Sequence, residues 1–438
     1  MGGEVSPDTI TQEAFAARLK SLGAPRCMAI AVSGGRDSVA LLRLCADYAK
    51  GAGAKLKAFT IDHGLRAGSG DEAMRVRDWC AQAGVAHDIL LWKGEKPQSG
   101  IQEAARRARY GLLIEAALRA GCEALLTAHT LDDQAETLFM RLARGAGVKG
   151  LSSIRERSLV AAGAGAPLLM LRPLLSFSRR AVTSYLQERD QSFLDDPSND
   201  DPHFERVRVR ALLAALEEQD LLTGRVLSET AQKLAAAFEH LQAQEDALFV
   251  SLGGCFYAWG GVSLDRWDVS AASAGGLARR LLHAVSGAEY APDEMKSGGA
   301  AEQAMSSGAA TLSGAAIKRS RGRLWFFREP AALTGRAGVA PAERQPLDAP
   351  LLWDGRFILE PPEGFAGLSV GPLGPEAAEF LSGHQTLFQG PSEALSGLPG
   401  LYAADRLIGA PALPFMNGLA ASKSLAQERY MGGIVRFL

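Results

Sequence analysis

Residues 27–38 read CMAIAVSGGRDS, an apolar run that passes directly into a turn of glycine, hydroxyl and charged residues. Residues 27–32 have the length and composition of a buried strand. Residues 38–50 follow with apolar positions at helical spacing, so the polar turn lies between a strand and a helix. Glycines permit a tight turn with bare N–H groups, and the start of a helix attracts anions. The stretch therefore predicts a phosphate-binding loop in an α/β fold.

Strand-like and helical segments alternate beyond this loop. Strands are predicted at residues 56–61, 86–92 and 124–128, and helices at residues 71–84, 101–120 and 131–143. This alternation predicts a doubly wound, Rossmann-like parallel sheet. Ligands of such sheets bind at the carboxyl ends of the strands, so the loops after Val32, Ile61 and Ala128 are the places to search for a site.

The 438 residues are enough for two or three domains. We expect a catalytic domain at residues 1–220, a helical linker at 221–248, a small α+β domain at 249–335 and a β-rich domain at 336–438. Within the third part, residues 296–314 are rich in small side chains and predict a mobile loop. Residues 315–328 predict a hairpin that turns at Arg321-Gly322.

Composition excludes several classes of protein. The formal charge is −2, so any nucleic-acid site must be a local basic patch. The five cysteines are scattered and form no C-x-x-C pair, which indicates a reducing cytoplasm and argues against a zinc ribbon or an iron–sulfur cluster. No apolar run approaches the ~18 residues of a membrane span, and no signal peptide is expected at the start.

The glycine turn has two interpretations. Ser33, Gly34, Gly35 and Ser38 suit an anion cradle, although it is not the common P-loop because no lysine follows the glycines. The alternative is a helix cap made by the side chain of Ser33 or Asp37.

The loop after the fourth predicted strand carries three acids, Asp132, Asp133 and Glu136. Positions 133 and 136 share one helical face. Acids in the first turn of a helix also serve as caps, which is the alternative interpretation. Beside a phosphate site, three acids suit a second cation or a substrate that bears ammonium groups.

Arg106 and Arg109 share one helical face, and Arg206 and Arg210 share another. Arg106 and Arg109 suit phosphate or carboxylate contacts, or ordinary ion pairs with Glu103 or Glu115. Arg206, Arg208 and Arg210 suit either a solvated charge run or contacts with RNA phosphates.

Residues 33–38 resemble the pyrophosphate-binding motif of the N-type ATP pyrophosphatases, or PP-loop superfamily. Further segments match in order: 60–66 (TIDHGLR), 103–110, 128–137 (AHTLDDQAET), 141–151, 172–175, 196–199 and 206–210. Over residues 25–215 the chain resembles the tRNA(Ile)-lysidine synthetase family. These enzymes convert the wobble cytidine of a CAU anticodon to lysidine.

The resemblance implies ATP-dependent ligation of L-lysine to C2 of cytidine-34 in isoleucine tRNA, through an O2-adenylated intermediate, with release of AMP and pyrophosphate. ATP is the co-substrate and Mg²⁺ the expected metal, because a bare carboxylate beside a polyphosphate would be repelled. The oligomeric state is open, with a homodimer as one option, and no membrane is involved.

Roles follow residue by residue. ATP is assigned to Ser33, Gly34, Gly35, Arg36, Asp37, Ser38, Asp62 and His63, with His63 alternatively structural. Asp37 and Asp132 are the expected metal ligands, Asp132 alternatively supporting other site residues. Lysine is assigned to Asp133, Glu136, Arg106 and Arg109, and tRNA to Arg206, Arg208 and Arg210. The expected catalytic residues are Asp37, Asp132, Asp133 and Glu136.

Three other functions compete. A tRNA thiolase usually needs paired catalytic or cluster-binding cysteines, and no such pair stands out. An amidotransferase-type ligase needs a glutaminase domain, for which the chain before the motif is too short. A non-catalytic nucleotide sensor would use the same cradle without turnover.

Overall fold

The computed structural model describes residues 8–64, 68–93, 101–163, 165–195, 201–269, 271–335, 342–374, 388–413, 421–431 and 434–437. The chain divides into two compact units, Met1–His240 with Val435–Leu438, and Leu241–Ile434. The four-part division expected from the sequence stays a prediction. Leu65, Arg66 and the 196–199 motif lie outside the described residues, as does the side chain of Glu103.

The first unit alternates strands and helices. Its elements are α1 (Gln12–Ser21), β1 (Cys27–Ala31), α2 (Arg36–Ala52), β2 (Lys55–Asp62), α3 (Ser69–Gln82), β3 (Ala86–Leu91), α4 (Ile101–Arg119), β4 (Ala124–Leu126), α5 (Leu131–Ala143), α6 (Val148–Leu151), β5 (Arg157–Ala162), β6 (Leu168–Leu171), α7 (Arg179–Gln187) and α8 (Glu205–Glu218). The 28-residue helix α9 (Gly224–Ser251) begins in this unit.

The seven-stranded sheet has the order β19-β5-β6-β4-β1-β2-β3, where β19 is Ile434–Phe437. Strands β1, β2, β3, β4 and β6 are parallel, and β5 is antiparallel to β6. Helices cover both faces: Met28 and Ile30 of β1 pack in one core with α2 and α7, whereas Ala29 packs in a second core with α4. Helices on both faces of a mostly parallel sheet are the arrangement that defines the α/β class, so the predicted class is confirmed.

The predicted elements of this unit agree with the structure to within a few residues at their ends. Helix α5 has the predicted bounds, because its apolar face packs at helical spacing and Thr130 precedes it as the cap. Strand β5 was not predicted, since its first residues alternate between exposed and half-buried positions and give a weak apolar signal.

The second unit is built from small antiparallel sheets and helices. Its further elements are β7 (Cys255–Phe256), β8 (Val262–Leu264), α10 (Ala271–Ser286), α11 (Glu294–Ser307), β9 (Ala309–Leu312), β10 (Ala315–Ser320), β11 (Arg323–Arg328), α12 (Ala331–Thr334), β12 (Gln345–Pro346), β13 (Leu351–Trp353), β14 (Phe357–Glu360), β15 (Leu368–Pro372), a 3-10 turn (Ser392–Gly397), β16 (Pro399–Ala403), β17 (Arg406–Gly409), β18 (Ala421–Ser424) and α13 (Ala426–Tyr430). The sheet orders are β7-β8-β11-β10-β9, β12-β15-β16-β17 and β13-β14-β18.

One prediction for this unit is confirmed and one is wrong. The hairpin at residues 315–328 turns at Arg321-Gly322, both of which have positive φ. The mobile loop expected at residues 296–314 is instead helix α11 followed by strand β9. Small side chains permit close helix packing there: a Cβ on Gly298 would lie 3.3 Å from the Cα of Gly275 in α10. Within the described part of the chain, no helix is long and apolar enough to cross a membrane.

Candidate active site

The glycine turn lies at the carboxyl end of β1 and leads directly into α2. Gly35 is the residue that caps α2, and no side chain bonds to the first N–H groups of that helix. The alternative of a side-chain cap by Ser33 or Asp37 is therefore wrong. The hydroxyl of Ser38 donates to the carbonyl of Gly35 at 2.8 Å and accepts the N–H of Ser33 at 3.1 Å. These bonds hold the turn in the shape of an anion cradle.

A distant segment fixes the middle of this cradle. Gly34 has a φ of +88°, and a Cβ there would lie 2.5 Å from Cδ1 of Leu194 and 3.0 Å from Cγ2 of Val76. The N–H of Leu194 donates to the carbonyl of Gly34 at 2.9 Å. Glycine is required at position 34 because the φ angle is positive and because there is no space for a Cβ atom. Leu194 was missed from the sequence, since nothing local to residue 194 indicates its contact with the loop.

Asp37 lies in the first turn of α2, next to the cradle. Its Oδ1 atom accepts a hydrogen bond from Nε of Arg36 at 3.2 Å. Burial raises the pKa of Asp37, and the charges of Arg36 and Arg179 oppose that shift. The carboxylate is thus only partly compensated by the protein, which is the environment in which a bound cation would stabilise its charge.

Among the residues that the structure describes, no three His, Cys, Asp or Glu side chains group as a metal site. Mg²⁺ does not require such a cage, because it is usually held by one or two carboxylates together with substrate phosphates and water. Asp37 fits that pattern. Asp132 fits it less well, since its Oδ2 atom already accepts the backbone N–H of Arg179 at 2.6 Å.

Asp62 is the last residue of β2, the strand beside β1, and His63 follows it. Asp62 Oδ1 accepts the N–H of Gly64 at 2.9 Å and the hydroxyl of Ser69 at 2.7 Å, so this carboxylate organises the local turn. His63 lies edge-on to Trp92, with 5.9 Å between ring centroids. Its Nε2 atom is 3.3 Å from Nη2 of Arg109.

The two arginines of α4 have different surroundings. Arg109 reaches His63, whereas the guanidinium of Arg106 lies over the Tyr110 ring at 5.0 Å from its centroid. Arg109 therefore borders the loop after β2.

The acids of α5 are held in different ways. Asp133 Oδ2 accepts the backbone N–H of Thr130 at 2.8 Å and its hydroxyl at 3.1 Å, and the bond from the backbone is part of the capping box at the start of α5. Asp133 thus has the capping role of the alternative interpretation, and its other oxygen still faces Arg179 at 3.5 Å. Glu136, with 2% of its side chain exposed, lies deeper.

Three arginines converge on Glu136. Oε1 is 3.1 Å from Nη1 of Arg179 and 2.9 Å from Nε of Arg210, and Oε2 is 3.0 Å from Nε of Arg206. Arg206 also donates to the hydroxyl of Thr137 at 3.1 Å. Two of the three arginines assigned to tRNA are therefore engaged by the carboxylate assigned to lysine.

Arg208 takes a different direction from its neighbours on α8. It donates to the carbonyls of Pro202 and His203, at 2.8 and 3.0 Å. Arg208 therefore does not lie on the face that Arg206 and Arg210 share. The sequence spacing agrees, because residues four apart lie on one face of a helix and the residue midway between them does not.

Arg179 and His129 join the site without having been assigned a role from the sequence. Arg179 opens α7 and contacts all three acids of α5 through its backbone N–H and its guanidinium. His129 follows β4, where burial lowers its pKa to about 4 and the ring is neutral at pH 7. A signal for Arg179 did exist: three clustered acids call for a cation, and Ser178 marks a helix start in the loop after β6.

The cradle at the carboxyl end of β1, with a free helix N-terminus and two serine hydroxyls, defines a PP-loop ATP-binding domain. A family model described as "PP-loop domain" matches residues 7–216. The chain belongs, more narrowly, to the tRNA(Ile)-lysidine synthase family of enzymes.

A tRNA(Ile)-lysidine synthase from Ruegeria pomeroyi is 33% identical over 428 residues, which cover 94% of each chain. A second, from Mesorhizobium japonicum, is 36% identical over 369 residues, 80% of this chain and 76% of that one. Among solved structures, the U34-tRNA thiolase NcsA from Methanococcus maripaludis matches with a TM-score of 0.41 and 19% identity, over 52% of this chain and 78% of that chain.

Proposed function

We propose that this chain ligates L-lysine to C2 of cytidine-34 in the CAU anticodon of isoleucine tRNA. The observation that carries the proposal is the meeting of two sites at one sheet edge: the phosphate cradle after β1 and the acid–arginine cluster after β4. Direct amination at C2 is difficult because the carbonyl oxygen is a poor leaving group. Adenylation of O2 converts it into AMP, which the ε-amine of lysine then displaces.

For the ATP half of the reaction, the cradle residues Ser33, Gly34, Gly35 and Ser38 hold the β- and γ-phosphates, with Arg36 beside them. Asp37 would hold Mg²⁺, which neutralises phosphate charge when bound. The His63–Arg109 pair borders the position proposed for adenosine.

For the lysine half, Asp133 and Glu136 are proposed to receive the ammonium groups. Their surroundings differ, because Glu136 is shared by three arginines whereas Asp133 Oδ1 has a long, 3.5 Å contact with Arg179. Asp133 is therefore the more accessible of the two for an ammonium group. The amine that attacks must be neutral, so a carboxylate of this cluster accepts its proton. Arg106 and Arg109 remain proposed contacts for the lysine carboxylate.

For the tRNA, we propose phosphate contacts by Arg206, Arg208 and Arg210. A phosphate contact by Arg206 or Arg210 requires the arginine to exchange its ion pair with Glu136 for the phosphate. Arg208 would exchange its hydrogen bonds to two backbone carbonyls. A homodimer and a location in the cytoplasm stay predictions.

The arrangement of the cysteines does not favour thiolation. All five are free, and the two closest, Cys27 and Cys122, have sulfurs 3.7 Å apart. Cys27 is the first residue of β1, so this pair lies at the strand end opposite the cradle.

The test is incubation of the full chain with ATP, radiolabelled lysine and total tRNA, followed by sequencing of the labelled tRNA. The expected result is label at position 34 of one isoleucine tRNA, with AMP and pyrophosphate released only when lysine and tRNA are both present. Nucleotide binding without turnover would instead identify a sensor, and label that does not depend on ATP would reject the ligase.

A further inference from the structure

Arg179 is held by two carboxylates that are themselves fixed by other groups. Asp133 is fixed by its two hydrogen bonds from Thr130, and Glu136 by its ion pairs with the two arginines of α8. Neither acid depends on Arg179 for its orientation. The acids instead orient Arg179, whose side chain is 14% exposed. A cation fixed in this way loses little side-chain freedom when an anion binds to it.

The same cation lies at the sheet edge that carries the phosphate cradle. Strands β1 and β6 both pair in parallel with β4, so α2, which follows β1, and α7, which follows β6, begin at the same edge of the sheet. The two helices also pack in one core, on the same face of the sheet. The backbone N–H of Arg179, at the positive end of α7, points to Asp132. Arg179 is thus within reach of both the cradle and the acids of α5.

We infer that Arg179 is a further catalytic residue, which contacts the α-phosphate of ATP while the cytidine is adenylated. This inference rests on the proposed function. In the step, O2 of the cytidine forms a bond to the α-phosphorus, the bond from that phosphorus to the oxygen shared with the β-phosphate breaks, and pyrophosphate leaves with the electron pair. A pre-positioned guanidinium stabilises the phosphoryl oxygens most strongly in the transition state.

The α-carboxylate of lysine is the other anion that Arg179 could contact. The position of Arg179 favours the phosphate, because α7 begins at the same sheet edge and on the same face as α2, whose start forms the cradle. The two contacts act at different steps, since adenylation precedes the arrival of the amine. An assay without lysine therefore separates them.

The next residue of the chain offers a matched control. Arg180 has the same side chain in the same helical turn, but 76% of it is exposed and it pairs with Asp8 at 2.9 Å. The experiment compares Arg179→Ala, Arg179→Lys and Arg180→Ala in the full-length chain. Three quantities are measured: transfer of label from the α-phosphate of ATP to isoleucine tRNA in a single turnover without lysine, the Kd for ATP by calorimetry, and the midpoint of thermal unfolding.

For Arg179→Ala we expect the adenylation rate to fall about 10²- to 10³-fold, while the Kd for ATP changes less than about 5-fold. Arg179→Lys keeps the charge but not the planar fork, so about a tenth of the rate is expected to remain. Arg180→Ala is expected to match the unchanged chain in all three measurements.

An unchanged adenylation rate with a raised KM for lysine overturns the inference and assigns Arg179 to the lysine carboxylate. Equal losses in rate and in ATP affinity also overturn it, because they indicate ground-state binding alone. Should Arg179→Ala fail to fold, Arg179→Lys decides, and a full rate in that variant rejects the role. Failure of the unchanged chain to label any tRNA rejects the proposed function itself.

Discussion

Each unit of the molecule contains a carboxylate enclosed by arginines, and the two clusters differ in what else the arginines touch. In the second unit, Asp354 pairs with Arg328 at 3.0 Å and with Arg356 at 2.5 Å. Arg328 also donates to the carbonyl of Gly314 at 2.8 Å, and Arg356 to that of Gly397 at 2.7 Å. The two arginines thus connect the backbone at Gly314 and at Gly397 to the carboxylate of Asp354, so the cluster stabilises the fold.

Two of the arginines around Glu136 in the first unit are more exposed to solvent. The side chains of Arg206 and Arg210 are 42% and 38% exposed, against 14% and 3% for Arg328 and Arg356. Partly exposed guanidiniums can exchange one anion for another, whereas buried ones bonded to carbonyls cannot. We therefore expect the same ion-pair chemistry to serve substrates in the first unit and stability in the second.

The largest effect is expected from Asp354→Ala, which leaves Arg328 and Arg356 buried without their carboxylate. Breaking a buried pair in this way costs about 3–5 kcal/mol of unfolding free energy. Denaturant unfolding would measure it, with Asp405→Ala as the control, because Asp405 is exposed and its pair with Arg344 contributes at most about 1 kcal/mol. Equal losses in the two variants would contradict the structural role of the cluster.

Asp37→Asn is expected to have the opposite profile, with stability kept and activity lost. Burial already disfavours the charged form of Asp37, so a neutral amide costs the fold little. Loss of the proposed Mg²⁺ contact should lower lysine incorporation about 10²- to 10³-fold. Near-normal turnover at saturating Mg²⁺ and ATP would remove Asp37 from the mechanism.

Asp133→Asn and Glu136→Gln are each expected to lower the rate of the lysine step about 10- to 150-fold. Each variant loses a charge-assisted hydrogen bond, which contributes about 1.5–3 kcal/mol. The measurement is lysine transfer to tRNA that is already adenylated. Glu205→Gln, which removes an exposed pair with Arg144, is the matched control. If Asp133→Asn or Glu136→Gln instead blocks formation of adenylated tRNA, the pair serves ATP or metal.

The smallest effect is expected at Arg208. If its guanidinium binds a tRNA phosphate, Arg208→Ala should reduce the slope of log K against log salt by about 0.7–0.9, with ATP affinity unchanged. The triple Ala variant of Arg206, Arg208 and Arg210 should reduce the slope further, but it also leaves Glu136 with one arginine instead of three. An unaltered salt dependence in both variants would show that these arginines serve the fold alone.

The sequence was most informative where a structural signal is local. Residues 33–38 combine glycines, hydroxyls and a helix start within six positions, so the cradle was predicted together with the strand and helix beside it. Helix α11 shows the limit of composition. Its small residues predicted mobility, yet in the fold they allow its close approach to α10.

Contacts between distant residues were not predicted. Arg179 meets Glu136 across 43 positions, and neither residue alone indicates the other. The assignment of Arg206 and Arg210 to tRNA came from a helical face seen in isolation, without Glu136, which the fold brings to that face. Charge patterns along a chain indicate which groups are available; the tertiary structure determines which of them are already paired.

The bond from Leu194 to the carbonyl of Gly34 has a consequence for biosynthesis. The cradle sequence is made early, but the leucine that completes its shape is made 160 residues later. Because translation proceeds from the amino end, a nascent chain released before residue 194 contains every cradle residue but lacks the contact that holds Gly34 in place. The ribosome must therefore finish most of the first unit before the growing polypeptide can form its nucleotide pocket.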